Sequence, residues 1–283
     1  MTDVWELVHA ERAALAADLE GLTDEQWRTA SLCDGWSVHD VAAHLVANAL
    51  ATPFGLVRGM VRARGDFERM TQQGVDRHRG ATPRETLSSL RQVAGRRTGP
   101  PTRLAPLESR LVEEVVHGED IRRPLGIWHD YSAEAIEGAL RYQARTPASV
   151  GGAREVAERV TLRATDLDLT LGDGPEVRGP ALALLLAISG RDVVRPDLDG
   201  PGGEAGPARC VLAREVAGED HTVVGRVVDR GDERPVVRDD REPAGVHDLL
   251  RRALTGDDAL EHLTRELVGE RARVDEALQG GDG

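Results

Sequence analysis

The sequence predicts an α+β protein, in which a helical N-terminal half is followed by a smaller part with a short antiparallel sheet covered by helices. Apolar residues recur at helical spacing through residues 3–147, between recognisable helix starts and short connections. The pattern changes at residues 149–152, and beyond them RVTLRATD and LDLTLG alternate apolar and polar residues with period two. We therefore predict a helical bundle over residues 1–148 and a C-terminal α+β domain over residues 153–283.

Helix starts define the organisation of the N-terminal half. Residues 3–21 have apolar positions at helical spacing, and Thr23 begins a short second helix. The clearest start is at Ser37, because Asp40 lies three residues further on and completes a capping box. We therefore predict a helix over residues 37–50.

Three later helices complete this half. Thr82 is an N-cap followed by Pro83 at the first helical position, which is a strong start signal. A helix is predicted over residues 106–122, closed by Pro124 and Gly126, and Ser132 begins another. With short connections between them, these helices are expected to form an up-down bundle.

The C-terminal half mixes strands and helices. Residues 159–172 contain the two alternating segments, separated by turn-forming aspartates, and are expected to form a hairpin or meander. The apolar segment 180–190 predicts a helix that covers this sheet. Residues 211–238 contain further strand-like pieces, and residues 245–277 predict two charged helices.

Composition and charge exclude several classes of function. The chain of 283 residues has a formal net charge of -13 and no lysine, whereas nucleic-acid binding needs clustered basic residues. Cys33 and Cys210 lie far apart and form no CxxC pair, so a disulfide framework and a cysteine zinc site are not expected. The N-terminus is unlike a signal peptide, and no apolar run is long enough to span a membrane. We expect a soluble, cytoplasmic protein.

Two of the predicted helices carry residues that suit a metal ion. On helix 37–50, His44 lies at the edge of the apolar stripe when positions advance by about 100° per residue. On helix 106–122, Glu113 and His117 share one face, within about 40° of each other. Together the three could hold one ion and leave a coordination position open. Spacing alone equally permits a solvated Glu113–His117 ion pair and a His44 that only packs or caps.

Three segments resemble motifs of one family, in the same order and at similar separations. They are LCDGWSVHDVAAHL at 32–45, EEVVHGED at 113–120, and VTLRATD at 160–166 together with GPALALLLAISGR at 179–191. These segments resemble the mycothiol-dependent maleylpyruvate isomerase family, which belongs to the DinB-like metal-binding bundles. The resemblance covers roughly residues 4–200, with Leu32 where the family usually has proline. It implies a DinB-like up-down four-helix bundle over residues 1–148.

The resemblance also implies a ligand set and a chemistry. His44, Glu113 and His117 correspond to the family's three zinc ligands, although this set also suits other divalent metals. The open position would hold mycothiol as a thiolate, since a metal-bound thiol is deprotonated. In the isomerase, the implied reaction is thiolate addition to a cis-enedioic acid, bond rotation and elimination to the trans isomer. Other DinB-like relatives are implied to transfer or cleave thiol conjugates.

Four further residues near these motifs have competing interpretations. The resemblance implies that Arg191 holds a substrate carboxylate with its planar guanidinium. Alternatively, Arg191 is an arginine at a helix end that faces water or a neighbouring carboxylate. Asp40 either accepts a hydrogen bond from a ligand imidazole or only caps its helix. Trp36 is expected to pack the adjacent turn onto the bundle, and Cys33 is either reactive or a small buried residue.

The sequence leaves the reaction and the role of residues 205–283 open. We predict a zinc-dependent, mycothiol-using isomerase or S-transferase that acts on a small electrophile, acidic or neutral. The alternatives are a metal-dependent hydrolase that uses zinc-bound water and a metal-stabilised binding or regulatory module without turnover. Residues 205–283 form an extension that no motif matches. The chain is expected to be a monomer or a homodimer, without nucleic-acid or membrane partners.

Overall fold

The computed structural model describes residues 2–99, 105–148 and 151–204. The extension at 205–283, with its predicted strands and helices and Cys210, lies outside the described residues. The helices are α1 (Val4–Asp18), α2 (Asp24–Arg28), α3 (Val38–Leu50), α4 (Pro53–Arg62), α5 (Phe67–His78), α6 (Pro83–Val93), α7 (Glu108–Leu125), α8 (Ala133–Arg145), α9 (Arg154–Ala157), α10 (Ala181–Ile188), a 3-10 turn (Asp192–Asp197) and α11 (Pro201–Glu204). The strands are β1 (Thr161–Ala164), β2 (Thr170–Leu171) and β3 (Glu176–Gly179).

The helix starts predicted from the sequence are confirmed. The side chains of Thr23, Ser37, Thr82 and Ser132 each accept a hydrogen bond from a backbone N–H in the first turn of α2, α3, α6 and α8. At α3 the capping box is complete, because the Asp40 carboxylate also accepts a hydrogen bond from the backbone N–H of Ser37, at 2.9 Å. Each cap satisfies an N–H group that the helix itself leaves unpaired.

Helix α7 differs from its prediction at its C-terminal end. It runs to Leu125, so Pro124 lies inside the last turn and does not close the helix. Proline has no N–H for the carbonyl four residues earlier. That carbonyl, of Asp120, instead accepts a hydrogen bond from the backbone N–H of Leu32 at 3.1 Å. As predicted, Gly126 ends the helix, and its φ of 67° is a left-handed conformation that glycine adopts without strain.

The predicted fold class is confirmed, and the sheet differs from its prediction in one respect. Strands β1 and β2 form the expected antiparallel hairpin, with Leu162 opposite Leu171. Strand β3, which the sequence pattern does not indicate, lies on the other edge of β1 and runs parallel to it, with Leu162 opposite Val177. The sheet is therefore mixed. A backbone hydrogen bond of 3.0 Å from Thr161 to the carbonyl of Pro175 brings the returning chain beside the start of β1.

The N-terminal helices pack as the predicted bundle. Helix α3 packs against α5, α6 and α7, and α1 packs against α6 and α7. Helix α10 lies against β1 and β3, as the apolar segment at 180–190 predicts. None of the helices in the three described ranges has both the length and the apolar composition needed to cross a membrane.

Two apolar clusters stabilise these elements, and α7 contributes to both. One lies among α1, α2, α3, α6 and α7 and includes Leu45 and Ile121. The other joins α7 and α8 to the sheet and α10, and includes Leu140 and Leu184. A fully buried leucine or isoleucine side chain contributes about 1.5–3 kcal/mol. The second cluster contains residues from both predicted domains, such as Leu140 and Leu184, so the two share a core, and the boundary between them stays a prediction.

Replacing Ser37 by alanine should lower the free energy of unfolding by about 1 kcal/mol, because α3 loses its side-chain cap and the capping box. The measurement is urea denaturation followed by circular dichroism. The control is Ser88→Ala at an exposed position on α6, where we expect a change of less than about 0.5 kcal/mol. Equal effects of the two substitutions would contradict a specific role for the cap.

Candidate metal centre

Helices α3 and α7 bring the three predicted ligands together. The Oε2 atom of Glu113 lies 3.5 Å from Nε2 of His44 and 3.4 Å from Nε2 of His117. The two imidazole rings meet edge to face, with their centroids 4.7 Å apart. Ligand atoms from all three residues lie within 4.8 Å of one another. The structure thus places side chains from two distant segments around one point.

These distances fit a single metal ion. In a tetrahedral zinc site with bonds of about 2.0–2.2 Å, neighbouring ligand atoms are about 3.3–3.5 Å apart. Both separations from the Glu113 oxygen match this value. Two imidazoles and one carboxylate are also a known donor set of catalytic zinc sites, which keep a fourth position for water or substrate. The residues present therefore fit a divalent cation.

The cluster lies at the border of the bundle core. The side chain of His44 is 12% exposed, and Val41 and Leu45 beside it are buried. The side chain of His117 is 17% exposed, and that of Glu113 is 41% exposed. Helical periodicity puts the core residues on one side of each helix and the ligands at the edge of that side. The exposed carboxylate marks the side from which a small molecule can approach.

Burial and neighbouring groups set the protonation of the three side chains. Burial lowers the pKa of His44 although the nearby Glu113 carboxylate opposes this effect, so the ring is neutral at pH 7. Partial burial alone would raise the pKa of Glu113, but the two neighbouring histidines outweigh this effect and hold that pKa well below its usual range. Burial would lower the pKa of His117, yet hydrogen bonds with Asp120 and Cys33, among others, raise it well above the ordinary value. The ionised Glu113 thus lies beside a protonated His117, whose Nε2 proton a metal ion would have to displace.

Asp120 belongs to the site although the ligand spacing does not indicate it. Its Oδ2 atom accepts a hydrogen bond from Nδ1 of His117 at 2.9 Å, which holds the proton on Nδ1 and leaves Nε2 for a metal. Burial would raise the pKa of Asp120, but hydrogen bonds with His117 and Arg191 outweigh it and hold the pKa well below its usual range. A signal for this residue exists in the sequence, because Asp120 ends the EEVVHGED segment, three residues after His117.

Asp40 does not contact a ligand imidazole. Its carboxylate accepts hydrogen bonds from the backbone and hydroxyl of Ser37 and pairs with Arg79 at 2.7 Å. The capping interpretation of Asp40 is therefore confirmed. The carboxylate that accepts a hydrogen bond from a ligand imidazole is that of Asp120, which contacts His117. The neighbouring His39 is also outside the cluster, because it is buried and forms a 2.7 Å hydrogen bond with Thr86 on α6.

Arg191 reaches the site from the C-terminal part of the chain. Its Nε and Nη2 atoms donate to the two carboxylate oxygens of Asp120, at 2.9 and 2.6 Å. Its Nη1 atom donates to the backbone carbonyl of Ser189. Bidentate pairs of this kind are among the strongest side-chain hydrogen bonds. Contact with a neighbouring carboxylate, one of the two interpretations of Arg191, is present in the structure, whereas its role in holding a substrate stays a prediction.

Cys33 borders the cluster on the side of Asp120. Its Sγ atom is half-buried and lies 3.0 Å from Oδ2 of Asp120 and 3.6 Å from Nδ1 of His117. These three residues form a second group with the spacing of metal ligands, and it shares His117 with the first group through the opposite ring nitrogen. Cys33 is therefore partly exposed and lies next to the candidate metal centre.

Two more side chains contact the ligands without belonging to the predicted set. The Trp36 ring lies 5.1 Å from the His44 ring, centroid to centroid, and its indole N–H donates to Gln72 on α5 at 3.0 Å. Trp36 thus covers a ligand in addition to packing its turn. The Nδ2 atom of Asn48 lies 2.6 Å from Oε2 of Glu113 and 3.0 Å from Nε2 of His44. No sequence motif indicates this contact.

Replacing Asp120 by asparagine should weaken metal binding about 10- to 100-fold, the usual cost of losing an outer partner of a ligand. The substitution removes the negative charge that holds the His117 proton on Nδ1 and breaks the pair with Arg191. Competition with a chromophoric chelator measures the affinity. Asp34→Asn, at an exposed position in the loop before α3, is the control. Wild-type affinity in the Asp120→Asn protein would rule out this role.

Two solved structures are similar to this chain. One is a crystal structure of the mycothiol-dependent maleylpyruvate isomerase, with 16% sequence identity and a TM-score of 0.46. The other is a crystal structure of a histidine-to-alanine mutant of the mycothiol-dependent maleylpyruvate isomerase, with 15% identity and a TM-score of 0.47. Each comparison covers 71% of this chain and 92% of the other chain. No curated protein matches the chain.

Residues 8–122 match a family model, described as the mycothiol maleylpyruvate isomerase N-terminal domain. The matched stretch runs from within α1 to within α7 and contains His44, Glu113 and His117. The resemblance indicated by the sequence motifs is thereby confirmed. Residues 8–122, which carry the candidate metal ligands, are thus similar to mycothiol maleylpyruvate isomerase N-terminal domains.

Proposed function

We propose that this chain is a zinc-dependent enzyme that uses mycothiol, a low-molecular-weight thiol, in an isomerase or S-transferase reaction on a small electrophile. The observation that carries the proposal is the convergence of His44 and His117 on one oxygen of Glu113, at separations of 3.5 and 3.4 Å that match a tetrahedral site. The family match supports it, because the matched domain is named for an isomerase that uses mycothiol. The proposal assigns the metal to these three side chains and the thiol to the position that they leave open.

The residues around the cluster have separate tasks in this proposal. A divalent ion supplies positive charge that lowers the pKa of a bound thiol, so that the thiol reacts as a thiolate at neutral pH. Asp120 holds the proton of His117 on Nδ1, so that Nε2 is available at the cluster. Trp36 packs against His44 and excludes water from that side. Glu113 stays partly exposed and leaves an approach for the two reactants.

Arg191 is the proposed binding residue for a substrate carboxylate. Its side chain is 19% exposed, and its guanidinium is oriented by the bidentate contact with Asp120. A substrate carboxylate would bind the exposed part of the guanidinium and share it with Asp120. A planar guanidinium favours an acidic electrophile over a neutral one.

Metal analysis of protein purified without chelator, followed by thiol titration of the cobalt-substituted protein, tests the proposal. We expect about one ion per chain and a change in the cobalt absorption spectrum when mycothiol is added. If thiols do not change the cobalt absorption spectrum and the protein cleaves esters or amides, the result would instead indicate a hydrolase. If metal only raises the melting temperature and neither reaction occurs, the chain is a metal-stabilised module and the proposal is wrong.

Replacing His44 or His117 by alanine should remove the metal while the bundle stays folded. Losing a ligand costs more than the ~10- to 100-fold in affinity that losing an outer partner costs. Because both side chains lie at the edge of the core, the free energy of unfolding of the metal-free protein should change by no more than about 1 kcal/mol. Metal content and urea denaturation are the measurements, with His78→Ala on α5 as control. Unfolding of both variants would mean that the two histidines are structural.

Replacing Arg191 by alanine should raise KM for maleylpyruvate about 10- to 100-fold, because a charged hydrogen bond contributes about 1.5–3 kcal/mol. Metal should be retained, since Arg191 is not a ligand. The control is Arg195→Ala, at an exposed position where the guanidinium contacts Asp192 within the same 3-10 turn. The KM for a neutral ester of the same acid should change much less. Unchanged kinetics with the acid would remove Arg191 from the substrate site.

A further inference from the structure

Asn48 contacts two of the proposed metal ligands at once. It lies one turn after His44 on α3, and its Nδ2 atom is 2.6 Å from Oε2 of Glu113 and 3.0 Å from Nε2 of His44. These are the same oxygen and nitrogen atoms that lie 3.5 Å apart in the cluster. Asn48 is also the only asparagine in the chain.

The chemistry of the amide determines what this contact does. The amide nitrogen carries two N–H donors, and an ionised carboxylate can only accept. Nε2 of a neutral imidazole accepts only when the ring proton is on Nδ1. One donor of Asn48 therefore serves Glu113 and the other serves His44. The reversed amide would place its carbonyl oxygen against the Glu113 carboxylate, where two acceptors repel each other, so the network itself selects the donor orientation.

The contacts of Asn48 arrange His44 and Glu113 in the way that a bound metal ion needs. A metal ion needs the Nε2 lone pair of His44 and an ionised oxygen of Glu113, both directed at one point. Without a positive group between them, a carboxylate oxygen and an imidazole lone pair at 3.5 Å repel each other. The partial positive charge on the amide hydrogens offsets this repulsion. Asn48 therefore holds both atoms together at a spacing that suits a metal.

Helix formation does not explain the residue. Asparagine is a poorer helix former than alanine or leucine, and Asn48 lies within α3 at a half-buried position. An apolar residue would suit the helix and its packing at least as well. The two hydrogen bonds to ligand atoms are what the side chain contributes.

We infer that Asn48 is a positioning residue, which holds His44 and Glu113 as a preformed pair of ligands before the metal binds. The inference rests on the proposed metal site and adds a residue to it. Asn48 acts through the ligands and does not itself react. On metal binding, the donor to His44 is released because the metal takes the Nε2 lone pair, while the donor to Glu113 can remain.

Two substitutions separate the hydrogen bonds of Asn48 from the space that it fills. Asn48→Ala removes both, whereas Asn48→Leu keeps a similar volume and removes only the donors. Gln92→Ala, which removes an exposed amide on α6 that donates to Ser88, is the control. In the full-length protein, both Asn48 variants should bind Zn²⁺ and Co²⁺ about 10- to 100-fold more weakly than wild type, as other losses of outer partners do. Circular dichroism confirms that each variant is folded.

A second measurement needs no metal. Long-range ¹H–¹⁵N NMR spectra of the chelator-treated protein report which nitrogen of His44 carries the proton. In wild type we expect the proton on Nδ1, and in both Asn48 variants a mixture of the two tautomers. An unchanged tautomer in both variants would overturn the inference, because the amide would then not select it.

The outcomes separate this inference from the proposed function. Wild-type protein that binds no Zn²⁺ or Co²⁺ would refute the proposed function and the positioning role with it. Wild-type protein that binds metal, with both Asn48 variants equal to it in affinity, would refute the positioning role alone. Full affinity in Asn48→Leu with weak affinity in Asn48→Ala would show that the residue only fills space, which also overturns the inference.

Discussion

The orientation of α7 is the constraint on which the rest of the structure depends. This helix has charged residues in the interior, and an unpaired buried charge is very costly. Arg12 of α1 donates to Glu114 at 2.6 Å, and Arg122 donates to Asp18 of α1 at 2.7 Å. Both pairs connect α7 to α1 and resist rotation of α7 about its own axis. The side of α7 that carries the candidate ligands is therefore directed at α3.

Close packing around α7 adds a steric requirement to this electrostatic one. A Cβ atom at Gly118 would lie 2.8 Å from Nη1 of Arg122 and 2.9 Å from the hydroxyl of Tyr131. These two groups are joined by a hydrogen bond of 2.7 Å. Glycine inside a helix costs about 1 kcal/mol relative to alanine, but here it leaves room for the buried Arg122. Gly118 thus allows α7 to pack around Arg122, whereas the adjacent His117 belongs to the candidate metal centre.

The C-terminal part of the chain and the candidate metal centre are linked by consecutive hydrogen bonds. Arg191 holds Asp120 through both carboxylate oxygens, and Asp120 holds the imidazole of His117 through Nδ1. The shared apolar cluster places these elements side by side. A change in how residues beyond 190 pack would therefore alter the orientation of a ligand, as well as any substrate contact made by Arg191. Under the proposed function, binding of an acidic substrate and ligand orientation depend on the same guanidinium.

Local signals accounted for the three candidate ligands and for seven of the helices, namely α1, α2, α3, α6, α7, α8 and α10. Caps and apolar periodicity act within a few residues, so the start of α3 and the faces of His44, Glu113 and His117 could be predicted from neighbouring positions. The course of α7 through its proline and the parallel pairing of β3 could not, since each depends on a hydrogen bond from a distant segment. The contacts of Asp120 with Arg191 and of Asn48 with Glu113 were hidden for the same reason. Only the packing of the folded chain brings such residues within hydrogen-bonding distance. The separation of two residues along the sequence does not indicate such a contact.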